Sequence, residues 1–217
     1  MTMAGNTLGL LGKSTPPIAA ATKALSIEFN LQQCILLKTK DNDIDQSMID
    51  QLESWLITNS PIEEVQIIEI PPLSAEPKEL LQNIEAALKL NVQHVFYGPG
   101  SKELNAYLAI ASLPTEIRQW YKHDAAIKPT SSDGTNLIDL EDDNIKIEAK
   151  LTLEETSEIL LMDNETKSLA DHITLGRDNR LVITWNVSES DIDAAKSPMD
   201  ITKRILKNHG KINTKIG

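Results

Sequence analysis

The sequence predicts an α/β fold with a Rossmann-like central sheet, mainly parallel, that carries helices on both faces. In the first half of the chain, short apolar runs alternate with helical patterns long enough for right-handed crossovers between parallel strands. The 217 residues, 41% of them apolar, are also enough to bury a core. We expect a Rossmann-like domain core over residues 1–127, followed over residues 128–217 by a linker and a small C-terminal α+β extension.

Each expected strand of this domain is a short apolar run that stops at a turn or at proline. The third run, for example, is stopped by Pro71 and Pro72. The expected strands are Thr7–Leu11, Gln33–Leu37, Val65–Ile70, Val92–Tyr97 and, as a fifth, Glu116–Tyr121.

Helices are expected between these strands, because apolar side chains recur there at the spacing of one helix face. Pro17 and Pro77 suit the first turns of two of them, where a missing N–H breaks no hydrogen bond. The expected helices are Ile18–Phe29, Asp45–Ile57, Ser74–Leu90 and Lys102–Leu113.

The pattern changes beyond Lys122, where strand-like and helical segments are shorter and more polar. Lys128–Gly134 has the composition of a turn or linker. Thr152 and Ser197 are expected to cap helices. The remaining segments are an exposed strand at Ile145–Leu151, a helix at Leu153–Met162, a strand at Leu181–Trp185 and a closing helix at Pro198–Asn208.

The composition limits the possible partners and compartment. A net charge of −11 argues against a general nucleic-acid-binding surface, which needs basic residues for phosphate contacts. The basic tail from Lys196 onward fits either contact with nucleic acid or another partner, or a solvated terminal helix. The lone Cys34 cannot form an internal disulfide and is expected to be a buried strand residue. No apolar run approaches a membrane span and no basic region precedes the N-terminal leucines, so we expect a cytoplasmic protein.

Two glycine turns follow the first and fourth strands and carry residues that suit an anion. They are Gly12-Lys13-Ser14-Thr15 and Gly98-Pro99-Gly100-Ser101-Lys102. Ligands of such sheets bind outside the carboxyl ends of the strands. The second turn also opens a helix, whose N-terminal N–H groups favour anions. Neither turn matches the usual dinucleotide or P-loop motif, so the sequence predicts an anion site without a standard nucleotide fingerprint.

These turns resemble those of the CARF (CRISPR-associated Rossmann fold) family, especially the branch found in nucleases activated by cyclic tetra-adenylate. Gly12–Thr15 is similar to that branch's hydroxyl-rich loop, and Tyr97–Lys102 is similar to its T-G-G-T-K-like turn. Lys38–Asp41 and Lys150–Glu155 also resemble it, and the likeness covers Thr7 to Met162. The sequence departs from the family at position 99, where proline replaces the second glycine, and at position 101, where serine replaces threonine.

The resemblance implies a homodimer that binds a cyclic oligoadenylate, chiefly cyclic tetra-adenylate, in a two-fold symmetric pocket. It also implies possible ring-nuclease chemistry without metal or cofactor, in which the ligand's own 2′-hydroxyl attacks the neighbouring phosphate. Lys102 would then stabilise the developing charge, and Ser14 would position the attack. The residues expected to bind the ligand are Gly12, Lys13, Ser14, Thr15, Thr39, Gly98, Gly100, Ser101, Lys102 and Asn105.

Three functions stay open at this point. The first is cleavage of the ring, favoured because the residues after Met162 are too few for a typical effector nuclease domain of the family. The second is a non-catalytic sensor that acts through its C-terminal segment. The third is a Rossmann-like domain for another nucleotide or phosphate ligand.

Two weaker patterns concern metal sites. The histidines, among them His94, are scattered without the spacing of metal ligands. Asp142, Asp143, Glu148 and Lys150 loosely resemble a D…E-x-K nuclease core. Acidic residues are abundant in this chain, so a solvated acidic face is the favoured interpretation of that group.

Overall fold

A computed structural model describes residues 5–130, 146–160, 170–176 and 181–185. The described strands form a seven-stranded sheet and a separate two-stranded sheet. The large sheet contains β1 (Asn6–Leu10), β2 (Gln33–Thr39), β3 (Glu64–Ile70), β4 (Val92–Tyr97), β5 (Arg118–His123), β6 (Ala126–Pro129) and β7 (Ile147–Glu148). The helices are α1 (Pro16–Phe29), α2 (Gln46–Asn59), α3 (Pro77–Leu88), α4 (Lys102–Ser112) and α5 (Leu153–Ile159). The small sheet pairs β8 (Ala170–Leu175) with β9 (Leu181–Trp185) in antiparallel fashion.

The large sheet has the strand order β3-β2-β1-β4-β5-β6-β7. The strands from β3 to β5 are parallel, whereas β6 and β7 are added antiparallel at one edge. The chain moves outward from β1 through β2 to β3 and then returns to the other side of β1 as β4. The strand order therefore reverses between β1 and β4, which is where such sheets bind ligands. The predicted Rossmann-like α/β fold is confirmed.

Helices cover both faces of this sheet, and each face has its own apolar core. One core joins α1, α2 and α5 to the sheet, and the other joins α3 and α4. Neighbouring residues of β2 show the division, because Leu36 belongs to the first core and Leu37 to the second. All five residues of β1 are buried, as expected for a central parallel strand covered on both sides.

Cys34 is fully buried in β2, as the sequence predicted. Burial raises the pKa of its thiol to about 12, and the contact with the Thr22 hydroxyl opposes that rise only in part. A thiol with so high a pKa stays protonated at neutral pH and is a poor nucleophile. Cys34 is therefore a core residue.

The segment beyond the first domain contributes to the same sheet and core through residue 160. Strand β6 crosses the predicted boundary between residues 127 and 128, so Lys128 and Pro129 lie in a strand and not in the predicted turn. Ala149, Leu151 and Ile159 are buried in the core that α1 and α2 share. The expected strand at Ile145–Leu151 is reduced to the two residues of β7. How residues 161–217 are organised as a unit stays a prediction.

Helix α5 is fixed to the domain by polar contacts at its beginning and its side. The predicted cap at Thr152 is confirmed: its hydroxyl accepts from the Glu155 N–H at 3.1 Å, and Glu155 Oε2 accepts from the Thr152 N–H at 2.7 Å. Glu155 Oε1 also pairs with Lys23 Nζ of α1 at 2.5 Å. Partial burial alone would raise the pKa of Glu155, but these hydrogen bonds and the Lys23 charge lower it. The carboxylate is therefore ionised at neutral pH and holds α5 against α1.

Other boundaries differ by a few residues from those predicted. α1 begins at Pro16, two residues early, and α5 ends at Ile159. Strand β9 has the predicted bounds, whereas β8 was missed. The predicted closing helix at Pro198–Asn208 lies outside the described residues. No helix in the described part of the chain combines the length and the apolar character needed to cross a bilayer.

Candidate functional site

The two glycine turns predicted to form a site touch each other through their backbones. A Cβ atom at position 12 would lie 2.8 Å from Gly100 Cα and 2.9 Å from Gly100 N. Such distances are shorter than any real contact, so only glycine fits at position 12 without displacing the other turn. The turns that follow β1 and β4 are therefore one continuous surface at the carboxyl edge of the sheet.

The turn after β4 needs its two glycines for conformational reasons. Gly98 has φ of +115° and Gly100 has φ of +89°, values that side chains with a Cβ atom rarely adopt. A Cβ atom on Gly98 would also lie 2.6 Å from the carbonyl oxygen of Lys122 at the end of β5. The turn is thus folded tightly between β5 and the turn after β1.

Asn105 and Ser101 hold this turn in place. The Asn105 side chain accepts from the Gly98 N–H at 3.0 Å and donates to the carbonyl oxygens of Pro99 at 2.9 Å and Ser101 at 2.8 Å. Ser101 Oγ caps α4 by accepting from the Leu104 N–H at 3.1 Å. The Asn105 amide was predicted to contact the ligand, but in the structure it is bound to backbone groups of the turn itself. Ser101 still has a hydroxyl proton to donate.

Replacing Asn105 with alanine should reduce the free energy of unfolding by roughly 1–3 kcal/mol, since three hydrogen bonds are lost and one of them is partly buried. The matched control is Asn83→Ala in α3, which removes a single exposed hydrogen bond to the Glu79 carbonyl oxygen. Denaturant unfolding of both variants measures the difference. Equal losses for the two variants would mean that Asn105 does not hold the turn.

A cavity of about 460 Å³ opens at the junction of the two turns. It is lined by residues of both turns, by the end of β2 with the loop after it, and by Lys122 at the end of β5. Seven of the ten predicted ligand-binding residues line it: Gly12, Lys13, Ser14, Thr39, Gly98, Gly100 and Ser101. The structure thus brings together residues that lie far apart in the sequence.

The other three predicted residues do not line this cavity. Asn105 lies behind the turn, as described above. Thr15 is fully buried, and its hydroxyl has no hydrogen-bond partner among the described residues. Lys102, the residue expected to stabilise charge, is exposed in the first turn of α4 and lies just outside the lining.

The loop between β2 and α2 closes one side of the cavity and anchors the turn after β1. Asn42 Nδ2 donates to the Leu11 carbonyl oxygen at 2.7 Å, and Lys13 Nζ pairs with Asp43 at 2.7 Å. The Lys13 and Asp43 side chains are 69% and 56% exposed, so the pair contributes about 0–1 kcal/mol. Separating Lys13 from Asp43 therefore costs little free energy.

Sequence reasoning missed three polar residues of the lining, namely Asp41, Asn42 and Lys122. Asp41 was noted only as part of the Lys38–Asp41 likeness. Lys122 reaches the cavity through the pairing of β4 with β5, which sets Tyr97 beside Tyr121 and the following residues beside each other. No local sequence pattern reveals that pairing. A lysine at the carboxyl end of a predicted parallel strand does indicate a candidate ligand contact, because ligands bind at that edge of the sheet.

His94 in β4 is a core residue. His94 is 4% exposed, stacks on Phe29 at 4.3 Å between ring centroids, and accepts at Nδ1 from Trp120 Nε1 at 3.0 Å. Burial, and secondarily the Arg118 charge, lower the pKa of His94 to about 4. Among the described residues no three His, Cys, Asp or Glu side chains group to hold a metal ion. Asp142 and Asp143 lie outside the described residues.

The order of the parallel strands, the switch point and the paired turns define a Rossmann-like fold with a candidate ligand site at its carboxyl edge. No protein-family model matches the sequence, and no curated protein matches it. Solved structures do match. Protein VC1899 from Vibrio cholerae is 10% identical, with a TM-score of 0.52 over 71% of this chain and 39% of that chain. Can2 from Sulfobacillus thermosulfidooxidans, solved in complex with cyclic tetra-adenylate, is 13% identical, with a TM-score of 0.50 over 72% of this chain and 41% of that chain.

These identities establish a shared fold and no more. The chain spans about two-fifths of the length of each of the two matched chains. The Rossmann-like fold that the sequence predicted is therefore shared with both of these structures.

Proposed function

We propose that this protein binds a cyclic oligoadenylate, with cyclic tetra-adenylate as the leading candidate, at the cavity between its two glycine turns. The observation that carries the proposal is the backbone contact between Gly12 and Gly100, which joins the two turns into one surface. The resemblance of these turns to the CARF branch described above supports it. The fold shared with Can2, a structure that contains cyclic tetra-adenylate, supports it as well.

The chemistry of the cavity favours a small, multiply charged anion. Ser14 and Ser101 offer hydroxyl groups, and α4 begins beside the cavity with the positive end of its dipole. Lys13 and Lys122 line the same cavity and add positive charge to it. The net charge of −11 repels a long nucleic acid, whereas a compact ligand contacts only this local basic region.

The size of the cavity favours a dimeric site. A volume of about 460 Å³ is typical of pockets that hold one drug-sized molecule, and a ring of four nucleotides is larger than that. A two-fold axis through the ligand would supply a second copy of the cavity and of Lys102. The exposed position of Lys102 at the rim leaves it available to a ligand that extends beyond one chain.

We further propose that the bound ring is cleaved. The ligand's 2′ oxygen would form a bond to the adjacent phosphorus while the bond from phosphorus to the 5′ oxygen breaks. The proton lost by the 2′-hydroxyl is balanced by one gained at the 5′ oxygen, and the product is a linear strand with a 2′,3′-cyclic phosphate. Ser14 would align the 2′-hydroxyl and Lys102 would stabilise the charge on the phosphate oxygens, so the protein supplies positioning and charge.

One observation favours a second candidate function, binding without cleavage. Lys102 does not line the cavity of the single chain, so its ammonium group must approach the ligand from the rim. A sensor that responds to the ring needs the turns and the dimer but no charge placed at a scissile phosphate. Ring cleavage and sensing therefore differ in what Lys102 contributes.

The proposal is tested by adding labelled cyclic tri-, tetra- and hexa-adenylate to the protein in the presence of EDTA. We expect cyclic tetra-adenylate to bind to a dimer, detected by calorimetry and light scattering, and to give linear products that end in 2′,3′-cyclic phosphate. Tight binding without products would select the sensor. If none of the three rings bound at micromolar protein, the proposed ligand class would be wrong.

A further inference from the structure

Lys122 is a buried lysine at the carboxyl end of β5. It is 3% exposed, although lysine is among the residues least often buried. Lys122 lines the cavity between the glycine turns. A Cβ atom at position 98 would lie 2.6 Å from the carbonyl oxygen of Lys122 and 3.3 Å from the Lys122 Cβ atom, so Lys122 packs directly against the turn after β4.

The strand fixes the direction in which Lys122 points. Trp120, two residues earlier, packs in the core on the face of the sheet that α1 covers. Side chains alternate along a strand, so Lys122 lies on that same face, one step further toward the carboxyl edge. This is the face on which α1 begins, directly after the turn that follows β1.

The ammonium group is also positioned locally. Lys122 Nζ donates to the carbonyl oxygen of Asp124, in the turn between β5 and β6. An ammonium group has three N–H donors, so it can hold this carbonyl and a phosphate oxygen at the same time. This hydrogen bond orients the ammonium group at the end of β5.

We propose that Lys122 is the inner phosphate-binding residue of the site and contacts a phosphate of the cyclic oligoadenylate directly. This inference rests on the proposed ligand and assigns it a residue that neither sequence motif contains. Lys13 and Lys102 are exposed, and water and salt screen them. Lys122 is buried, and charge-assisted contacts are stronger where water is excluded. Lys122 therefore contributes more to affinity than the two exposed lysines.

The test compares Lys122→Met with Lys128→Met, using calorimetry with cyclic tetra-adenylate as the probe. Lys128 lies in β6, in the same hairpin as Lys122, and does not line the cavity, so its variant removes an equal charge from a neighbouring strand. We expect Lys122→Met to weaken binding roughly 10- to 100-fold, the value of a hydrogen bond to a charged group, and Lys128→Met to change it less than about threefold. A merely electrostatic effect of net charge would weaken both variants equally and overturn the proposal.

Two further outcomes separate this inference from the proposed function. If the wild-type protein binds the ring and Lys122→Met binds it with the same affinity, the role of Lys122 is wrong and the proposed ligand stands. Absence of binding in the wild type would overturn both. If Lys122→Met does not fold, wild-type protein with ¹⁵N-labelled lysine side chains gives the answer: the Lys122 Nζ resonance should shift on addition of the ring, and an unchanged resonance would overturn the proposal.

Discussion

Lys102→Ala should reduce the rate of cyclic tetra-adenylate cleavage roughly 100- to 1,000-fold, the loss typical of removing one donor that stabilises charge in a transition state. The affinity for the uncleaved ring should fall much less, because the phosphate charge is greater in the transition state than in the bound ligand. Single-turnover measurements in EDTA, with separation of the linear products, determine the rate. Calorimetry determines the affinity of the same variant.

The control for this prediction is Lys78→Ala. Lys78 is also an exposed lysine in the first turn of a helix, α3, and does not line the cavity. Its removal lowers the net charge equally and should leave the rate within about twofold, since surface substitutions away from a site have small effects. Cleavage at the wild-type rate by Lys102→Ala would mean that another group stabilises the phosphate charge.

Gly12→Ala should abolish measurable binding of the ring and lower the free energy of unfolding by roughly 1–3 kcal/mol. The added Cβ would lie 2.8 Å from Gly100 Cα, so the two turns must separate. The turns after β1 and β4 then no longer lie in the same relative position, and the N-terminus of α4 moves with the turn after β4. Calorimetry with cyclic tetra-adenylate and denaturant unfolding measure the two effects.

Gly5→Ala is the matched control, because its Cβ would also meet an atom at a forbidden distance, 2.2 Å from the Gln93 side chain. That contact is with the flexible end of a side chain, which can rotate away, whereas Gly100 is backbone. Gly5→Ala should therefore bind the ring normally. Equal binding by Gly12→Ala would refute the conclusion that the two turns form one site.

The fold could be predicted largely because its central strands are buried on both faces. Runs such as the one ending in Leu36 and Leu37 are almost wholly apolar, which is the pattern of parallel strands. The antiparallel strands at the edge of the sheet were harder to predict. β6 ends in Lys128 and Pro129, residues typical of turns, and proline is tolerated there because the strand is short and lies near the edge of the sheet.

The site could be predicted where the backbone sets the requirement. Glycines at 12, 98 and 100 are needed for close approach or for positive φ, and such needs are visible in a sequence. The roles of Asn105 and Lys122 were not visible. Asn105 makes hydrogen bonds back to the turn that precedes its helix, and Lys122 is brought to the cavity by the register of two strands. Tertiary packing sets the direction of a side chain, and that packing cannot be inferred from a single sequence.

Pro99 has a consequence for how the turn after β4 responds to a ligand. A loop with two glycines in succession samples many conformations before folding, and each must be lost when the loop is ordered. Pro99 lies between Gly98 and Gly100 and restricts the unfolded segment, so less entropy is lost on folding. Its carbonyl oxygen is then bound by Asn105. We therefore expect the turn to be ordered before any ligand arrives, and association to proceed without a slow ordering step, at a rate limited by diffusion and charge.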